Sequence, residues 1–388
     1  MPRDLITSRK IAMAMQVSQK PMSSIRVLDF TNLPPGASVA VMLADLGAEV
    51  VRVESPKARG KPSTIFGQVA MSRARKSICV DWRRPEGVEV LDRLAAHFDI
   101  VLENSLPGTM DERGFGHDRA KGINPRLIWC SITGFGQSGP YARHSGHDIS
   151  YVAHSGLLDA LTPERPWHPA QSLAVQAGGL VAVIAIQAAI AMREKTGQGS
   201  FIDTSLSEAA SWLLTCAVNP FSDDLYRLAP TPDRRLYECA DGRFVAVACA
   251  ESRTWNALCN GLDLPELEHA LHNAEMAAQC EAALTSAFAR RPAQDWVELL
   301  APMGAAVAPC NSGTQFLADP HAVTRGSFAH CDGADIPSNP VRLSSVNGGA
   351  SPTVLEPAPT TGQHTDQILA SVGIAAKQLD DLKSSDII

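Results

Sequence analysis

The sequence is defined first by what it lacks. Its nine cysteines (79, 130, 216, 239, 249, 259, 280, 310, 331) are scattered, and none forms a Cys-x-x-Cys pair. That excludes a disulfide frame or a zinc site and reads as reduced core thiols of a cytoplasmic protein. No block of Lys and Arg occurs, and the net charge is −7 with a pI near 5.9. Nucleic acid is therefore not an expected partner. No stretch reads as the roughly 18 uncharged apolar residues that cross a membrane. The longest candidate, Gly179 to Met192, is stopped by Arg193-Glu194-Lys195 and reads as a buried helix, so no membrane partner is expected. The residues before the first strand, 1–24, carry Arg3, Arg9, Lys10 and Lys20 but no apolar signal core or cleavage site. They read as an N-terminal extension, with Met22 a second possible start.

What is present is an alternation of strands and helices in a chain of 388 residues, 45% hydrophobic, enough for about two domains. Ile25 to Phe30 reads as a buried strand, Asn32-Leu33-Pro34-Pro35-Gly36 as its loop, Ala37 to Leu46 as a helix and Val50 to Glu54 as a strand. That is a β-α-β unit, the mark of a parallel, doubly wound sheet. It is not a dinucleotide fingerprint, because no Gly-x-Gly-x-x-Gly follows the first strand. Strands at 77–81, 99–104 and 127–132 continue the pattern. In such sheets ligands bind outside the carboxyl ends of the strands, which gathers the Asn32, Ser55, Asn104 and Gly134 loops on one edge. From 219 to 235 the chain turns polar and Pro-rich, as a linker does, and 236–334 reads as a smaller α/β unit.

The stretch from Gly134 to Gly199 carries the candidate chemistry. It opens with Gly134-Phe135-Gly136-Gln137-Ser138-Gly139-Pro140 and passes through Gly146-His147-Asp148. It closes on a long apolar helix read as starting after Gly178-Gly179 and ending at Lys195-Thr196-Gly197. Backbone amides at such a helix start favour negative charge. A histidine and an aspartate on the loop upstream could supply acid–base chemistry. Taken alone, such a tripeptide is more often a turn with a satisfied core histidine; the rest of the chain shifts that weight.

Several stretches taken together resemble the class III CoA-transferase family, which includes formyl-CoA transferases and alpha-methylacyl-CoA racemases. They are residues 27–54, Arg75-Lys76-Ser77-Ile78-Cys79-Val80-Asp81, Glu103-Asn104, Thr133 to Pro140, Gly146-His147-Asp148, Lys195 to Gly199, Ala240 to Phe244 and Gly362 to Asp366. The resemblance implies a Rossmann-like doubly wound large domain from 25–218 and 335–388, with the smaller α/β domain, 236–334, inserted. It implies two subunits interlocked like rings, and a coenzyme A thioester as substrate rather than a tightly bound cofactor or metal. By position, Leu33, Pro34, Ser55, Arg75, Lys76 and Asn104 would touch CoA, with Arg52, Arg75 and Lys76 as phosphate partners. Gly134 and Gly136 would approach the ligand, and the Gly178 and Gly179 amides would form an oxyanion site. Ser55 and Leu106 depart from the family, since some relatives carry a basic residue at the first position and frequently Arg at the second.

A larger departure concerns catalysis. The family's aspartate, a nucleophile in the transferases and a base in the racemases, stands just before the long helix. Here that position falls on Val175, or on Ala174 if one gap is allowed, and no carboxylate lies between Glu164 and Glu194. Valine neither attacks a thioester nor accepts a proton. His147 remains, with Asp148 to orient it or to partner Glu251, which matches a carboxylate of the racemase branch. Three readings follow. The first is a CoA-transferase acting on an acyl-CoA and a carboxylic acid, as a homodimer or as a heterodimer with an aspartate-containing homologue. The second is a one-base racemase-like enzyme using His147. The third is a non-catalytic CoA-binding protein.

Overall fold

A computed structural model describes residues 20–161, 165, 167–222, 230–343 and 355–388. The extension expected over 1–24 lies outside the described residues except for 20–24, as does 223–229 of the expected linker. By its contacts the chain divides into two units, Met1–Tyr226 with Thr324–Ile388, and Arg227–Val323.

The first unit is built on six strands: β1 (Arg26–Asp29), β2 (Glu49–Glu54), β3 (Lys76–Cys79), β4 (Ile100–Glu103), β5 (Ile128–Thr133) and β6 (Phe201–Ser205). They pair in the order β3-β2-β1-β4-β5-β6, and every pairing is parallel. The chain therefore reverses its direction of travel between β1 and β4, where loops leaving the carboxyl ends diverge and open a crevice. The helices that bear on the site are α1 (Pro34–Asp45), α2 (Pro85–Ala95), α3 (His117–Ile123), α4 (Asp148–His154), α5 (Leu173–Thr196) and α6 (Leu206–Trp212). Pro34 and Pro35 open α1, where a missing N–H costs nothing. Gly197 closes α5 in the left-handed region at φ +73°, which suits a residue without a Cβ.

Period-two alternation along the strands divides the core in two. Val27, Val50, Ile100 and Ile128 face one side and join Val39 and Leu43 of α1 with Ala174, Val175 and Ile186 of α5. Leu28, Val51, Val101 and Trp129 face the other and join Leu91 and Leu94 of α2 with the chain's last residues, Ile387 and Ile388. Adjacent residues thus serve opposite layers, and each fully buried aliphatic side chain contributes about 1.5–3 kcal/mol.

Three readings of the sequence are corrected here. The long helix begins at Leu173, so Gly178 and Gly179 lie inside it, where amides donate along the helix instead of to a ligand. Their smallness serves packing: a Cβ on Gly178 would stand 2.3 Å from Leu206 Cδ2, and one on Gly179 2.5 Å from Ser38 Oγ. The helix spans 24 residues and contains an 18-residue window with a mean hydropathy of 2.0, so by length and composition it does qualify as long and apolar enough to cross a membrane. Packing accounts for half of that apolar window, with Ala174, Val175, Ala177, Ala182 and Ile186 buried within the unit and Leu180 and Ile184 exposed. Lastly, the helix expected from Ser205 to Ala217 is regular only over Leu206–Trp212.

The second unit holds an antiparallel sheet of β7 (Arg234–Glu238), β8 (Phe244–Ala248) and β9 (Val307–Pro309). Helices α7 (Ser252–Gly261), α8 (Ala277–Phe288) and α9 (Ala293–Leu300) cover one face of it around Trp255, Phe288 and Trp296. The hairpin Phe328–Pro337, which the sequence reading splits at 334, belongs whole to the first unit.

The costliest group to hold in the first unit is a buried ion pair. Asp29, at the end of β1, is fully buried, and its Oδ2 accepts from Arg75 Nη1 at 2.9 Å. Its Oδ1 accepts from the Thr31 amide at 2.9 Å and the Thr31 hydroxyl at 2.6 Å. Arg75→Met strands the carboxylate and is expected to lower stability by about 3–5 kcal/mol, read as a drop in the urea midpoint. The double variant Asp29→Leu/Arg75→Met should recover most of that loss. Equal midpoints for Arg75→Met and wild type would show that the pair does not hold the loop after β1.

Candidate functional site

The carboxyl edge of the six-stranded sheet collects the expected residues unequally. At the β1/β4 crevice, Leu33 is exposed and caps α1, and Pro34 is its first residue. Asn104 Oδ1 accepts from the Asn32 amide at 3.1 Å, tying together the two loops that diverge there. Its Nδ2 is buried and has no hydrogen-bond partner among the described residues. Ser55 is exposed and accepts from the Lys57 amide at 3.4 Å, closing the turn after β2.

Two of the three expected phosphate partners, Arg75 and Lys76, are committed elsewhere, and Arg52 keeps a buried Nη1 with no hydrogen-bond partner among the described residues. Arg75 is spent on Asp29, and burial in the first place pushes its pKa down. Arg52 is buried, 3.7 Å from Glu54. Lys76 opens β3, and strands open at the amino edge; there its Nζ meets Glu49 at 2.5 Å, beside Arg26. The expectation that Lys76 faces CoA is thereby corrected. The cations that stand free are ones the sequence reading passed over. Lys57, Arg59 and Lys61 are exposed on the loop after β2, without an ion-pair partner among the described residues. That loop is built rigidly. Backbone bonds join Gly60, Lys61 and Ser63 to Thr361 and Pro359, and Glu54 accepts from Ser63 and Ser77 hydroxyls at 2.5 Å each. A run of basic residues beyond a strand end was the available signal.

The second cluster forms around α4. His147 caps this helix, exposed, with its amide donating to Ser150 Oγ at 3.4 Å. Asp148 does not orient His147. Its Oδ2 accepts from the Leu173 amide at 3.0 Å and its Oδ1 from the Val175 amide at 2.8 Å. Ser172, the residue before α5, makes no side-chain cap, so Asp148 supplies one from 25 residues away. The carboxylate also meets the positive end of a 24-residue helix. His147 and Val175 are thus brought together, joined through a single residue. Val175 itself is 8% exposed and packs among Tyr151, Val152 and Ala174.

Tyr151 explains two glycines. Its ring fills the place where a Cβ would lie at Gly134 (2.3 Å) and Gly146 (2.7 Å). Its hydroxyl donates to the Gly146 carbonyl at 2.7 Å and so fixes the residue before His147. Gly136 adopts φ +85°, a conformation that L side chains rarely take, beside Asp203, whose carboxylate accepts from the Gln137 amide at 3.0 Å. In the second unit, Glu251 caps α7, exposed, and accepts from the Thr254 hydroxyl at 3.1 Å.

A small cleft of about 60 Å³ opens at the ends of β4, β5 and β6, between Glu103, Trp129, Ser131 and Gln137. It has room for water but not for a thioester. Burial pushes the Glu103 carboxyl up, against the lowering effect of hydrogen bonds from Ser131 and Ser105.

Comparisons with known proteins bear on the family and the fold. CoA-transferase family III matches residues 22–365. The chain is 31% identical to the alpha-methylacyl-CoA racemase of Homo sapiens over 95% of its length and 97% of the relative. It is 30% identical to the succinyl-CoA:glutarate CoA-transferase of Homo sapiens, covering 91% and 86%. It is also 28% identical to the beta subunit of the succinyl-CoA–L-malate CoA-transferase of Chloroflexus aurantiacus, covering 95% and 98%. Among solved structures, a CAIB/BAIF family protein from Brucella suis matches with a TM-score of 0.76 at 29% identity, covering 91% and 100%.

Because its pKa is raised, folded Glu103 holds its proton above the ordinary value of 4.5. The stability it carries is complete below that value and is lost as the pH rises through the raised one. Glu103→Gln removes this dependence. The variant's urea midpoint should gain on wild type as the pH rises above 4.5. A difference constant across that range would contradict the assignment.

Proposed function

The chain belongs to CoA-transferase family III, and on that footing we propose that it binds an acyl-CoA and takes part in moving CoA between an acyl-CoA and a carboxylic acid, with the attacking aspartate contributed by a second, homologous chain. The observation that carries this reading is Val175, a buried valine in the first turn of α5. Transfer through an acyl-enzyme requires a carboxylate that attacks the thioester carbonyl, forms a mixed anhydride and releases CoA thiolate. The nearest carboxylate, Asp148, has both oxygens engaged by the amides of Leu173 and Val175. A partner bearing the aspartate completes the reaction, and a relative that is one subunit of a two-subunit transferase supports that arrangement.

In this reading CoA lies along the β1/β4 crevice, with its thioester reaching along the carboxyl edge toward the Gly134 loop. Asn104 Nδ2 donates to CoA, and Lys57, Arg59 and Lys61 hold the phosphates. The two chains interlock like rings. Leu180, Ile184 and Met192 on the outer side of α5, with Trp212 and Phe221 beyond it, are exposed and supply apolar surface for such an interface. The free thiols suit the cytoplasm.

A second reading is favoured by His147, an exposed imidazole whose backbone is held between Gly146, which accepts from the Tyr151 hydroxyl, and Asp148, which caps α5. There the chain alone removes and returns a proton at the α-carbon of a 2-methylacyl-CoA. One experiment separates the readings. The purified chain is incubated in D₂O with a 2-methylacyl-CoA, beside His147→Ala, and deuterium at the α-carbon is followed by mass spectrometry. The transferase reading expects no incorporation by the chain alone and CoA transfer once an aspartate-bearing homologue is added. Incorporation that His147→Ala abolishes sinks it in favour of proton exchange. CoA binding with neither activity, alone or paired, leaves a binding protein.

The phosphate assignment has its own test. Lys57→Ala/Arg59→Ala should weaken CoA binding about tenfold, or ~1.4 kcal/mol, and reduce its salt dependence. Arg52→Gln, whose guanidinium is turned to Glu54, should change the salt dependence little. Unchanged affinity in the double variant would move the phosphates off this loop.

A further inference from the structure

One pair of side chains near the site is unaccounted for by anything above. His154 ends α4, and its Nδ1 lies 2.7 Å from Oγ of Ser207 on α6. Ser207 is 5% exposed, whereas His154 is exposed, so the hydroxyl lies beneath the ring and the other ring nitrogen has no partner among the described residues. Two aromatic rings stand edge-on to the imidazole, Phe135 at 5.2 Å and Tyr141 at 5.4 Å. The ring is thus held at one nitrogen and against two walls, as an imidazole that works as a base must be.

Its location is equally specific. His147, Tyr151 and His154 are spaced 4 and 3 residues apart and share one face of α4. The two histidines are therefore about two turns, or ~10 Å, apart along the axis. Phe135 belongs to the loop leaving β5, and Ser207 follows the end of β6, so the pair stands on the sheet's carboxyl edge. The Ser207 amide donates to the Gly134 carbonyl at 3.0 Å, fixing it to the same loop. Three helices are locked pairwise around this point: α4 to α5 by Asp148, α5 to α6 by Leu206 against Gly178, and α4 to α6 by His154 and Ser207.

We propose that His154, positioned by Ser207, is a general base that activates water against a bound acyl-CoA thioester, so that the chain alone is a slow acyl-CoA hydrolase. Nδ1–H donates to Ser207 Oγ, which leaves the Nε2 lone pair outward. Nε2 takes a proton from water as the oxygen bonds to the thioester carbonyl carbon. The C–S bond then breaks, and the thiolate leaves with the proton returned from Nε2. The products are the carboxylic acid and CoA thiol, and no other reactant is needed. Ser207 is a positioning residue here, since its burial keeps it from the thioester. The inference rests on the reading that acyl-CoA lies on this edge.

The test uses the chain alone with isobutyryl-CoA and no acceptor acid, reading released thiol, with CoA affinity measured separately by calorimetry. His154→Ala is expected to lower turnover about a hundredfold with CoA affinity retained, and added imidazole should restore part of it. Ser207→Ala should lower kcat and leave KM unchanged. Absence of thiol release despite CoA binding overturns the proposal, as does release undiminished in His154→Ala or a loss that imidazole does not rescue. Absence of CoA binding by the wild-type chain overturns this inference and the site reading together.

Discussion

The carboxylate of Asp148 on the first amides of α5 is the contact on which the site depends. Without a capping side chain at Ser172, the longest helix of the protein would leave its first donors unpaired beneath a buried sheet edge. Asp148 satisfies two of them, and in doing so sets the distance between α4 and α5. His147 is the next residue back and Val175 is one of the two capped residues, so the cap also determines what faces what. A carboxylate used in this way is removed from chemistry. A neighbouring aspartate in the family's catalytic position would have been the one free to react, and valine occupies it.

Charge elsewhere is sorted by the direction of the strands. At the amino edge, Arg26, Glu49 and Lys76 satisfy one another. Within the layer, Asp29 with Arg75, and Glu54 with Ser63 and Ser77, hold the loops after β1 and β2 in place. The loop after β2 leaves Lys57, Arg59 and Lys61 without an ion-pair partner among the described residues. The ligand edge is therefore positive where no internal carboxylate balances it, and rigid because the internal carboxylates are used one layer below.

Much of the fold was legible in the sequence, and for a physical reason. Strands buried on both faces read as continuous apolar runs, and a β-α-β succession in one sheet leaves little choice of topology. Glycines at the ends of α1 and α5 marked helix stops. The helix start was misplaced because its cap is not local: Leu173 to Ala177 has no preceding capping side chain, and the residue that caps it lies in a different element. Arg75 and Lys76 were read as one basic pair, yet one side chain enters the core toward the carboxyl end of β1 while the other opens β3 at the amino edge. No spacing rule separates them. Gly134 was read as an approach to a ligand; what approaches it, and Gly146 as well, is the Tyr151 ring. The expected absence of the aspartate rests on the family resemblance alone, which directs attention to Val175, or to Ala174 with one gap.

The central claim is that this chain carries the family's edge and cap but not its nucleophile. The most direct measurement is intact-protein mass spectrometry of wild type and Val175→Asp after incubation with an acyl-CoA, with and without hydroxylamine. The account predicts no adduct on the wild-type chain. It predicts an acyl adduct on Val175→Asp that hydroxylamine removes, since a carboxylate there gains the positive end of α5 and stands beside His147. A hydroxylamine-sensitive adduct on the wild-type chain would contradict it, because a second nucleophile would then be at work. So would a folded, CoA-binding Val175→Asp that takes up no acyl group.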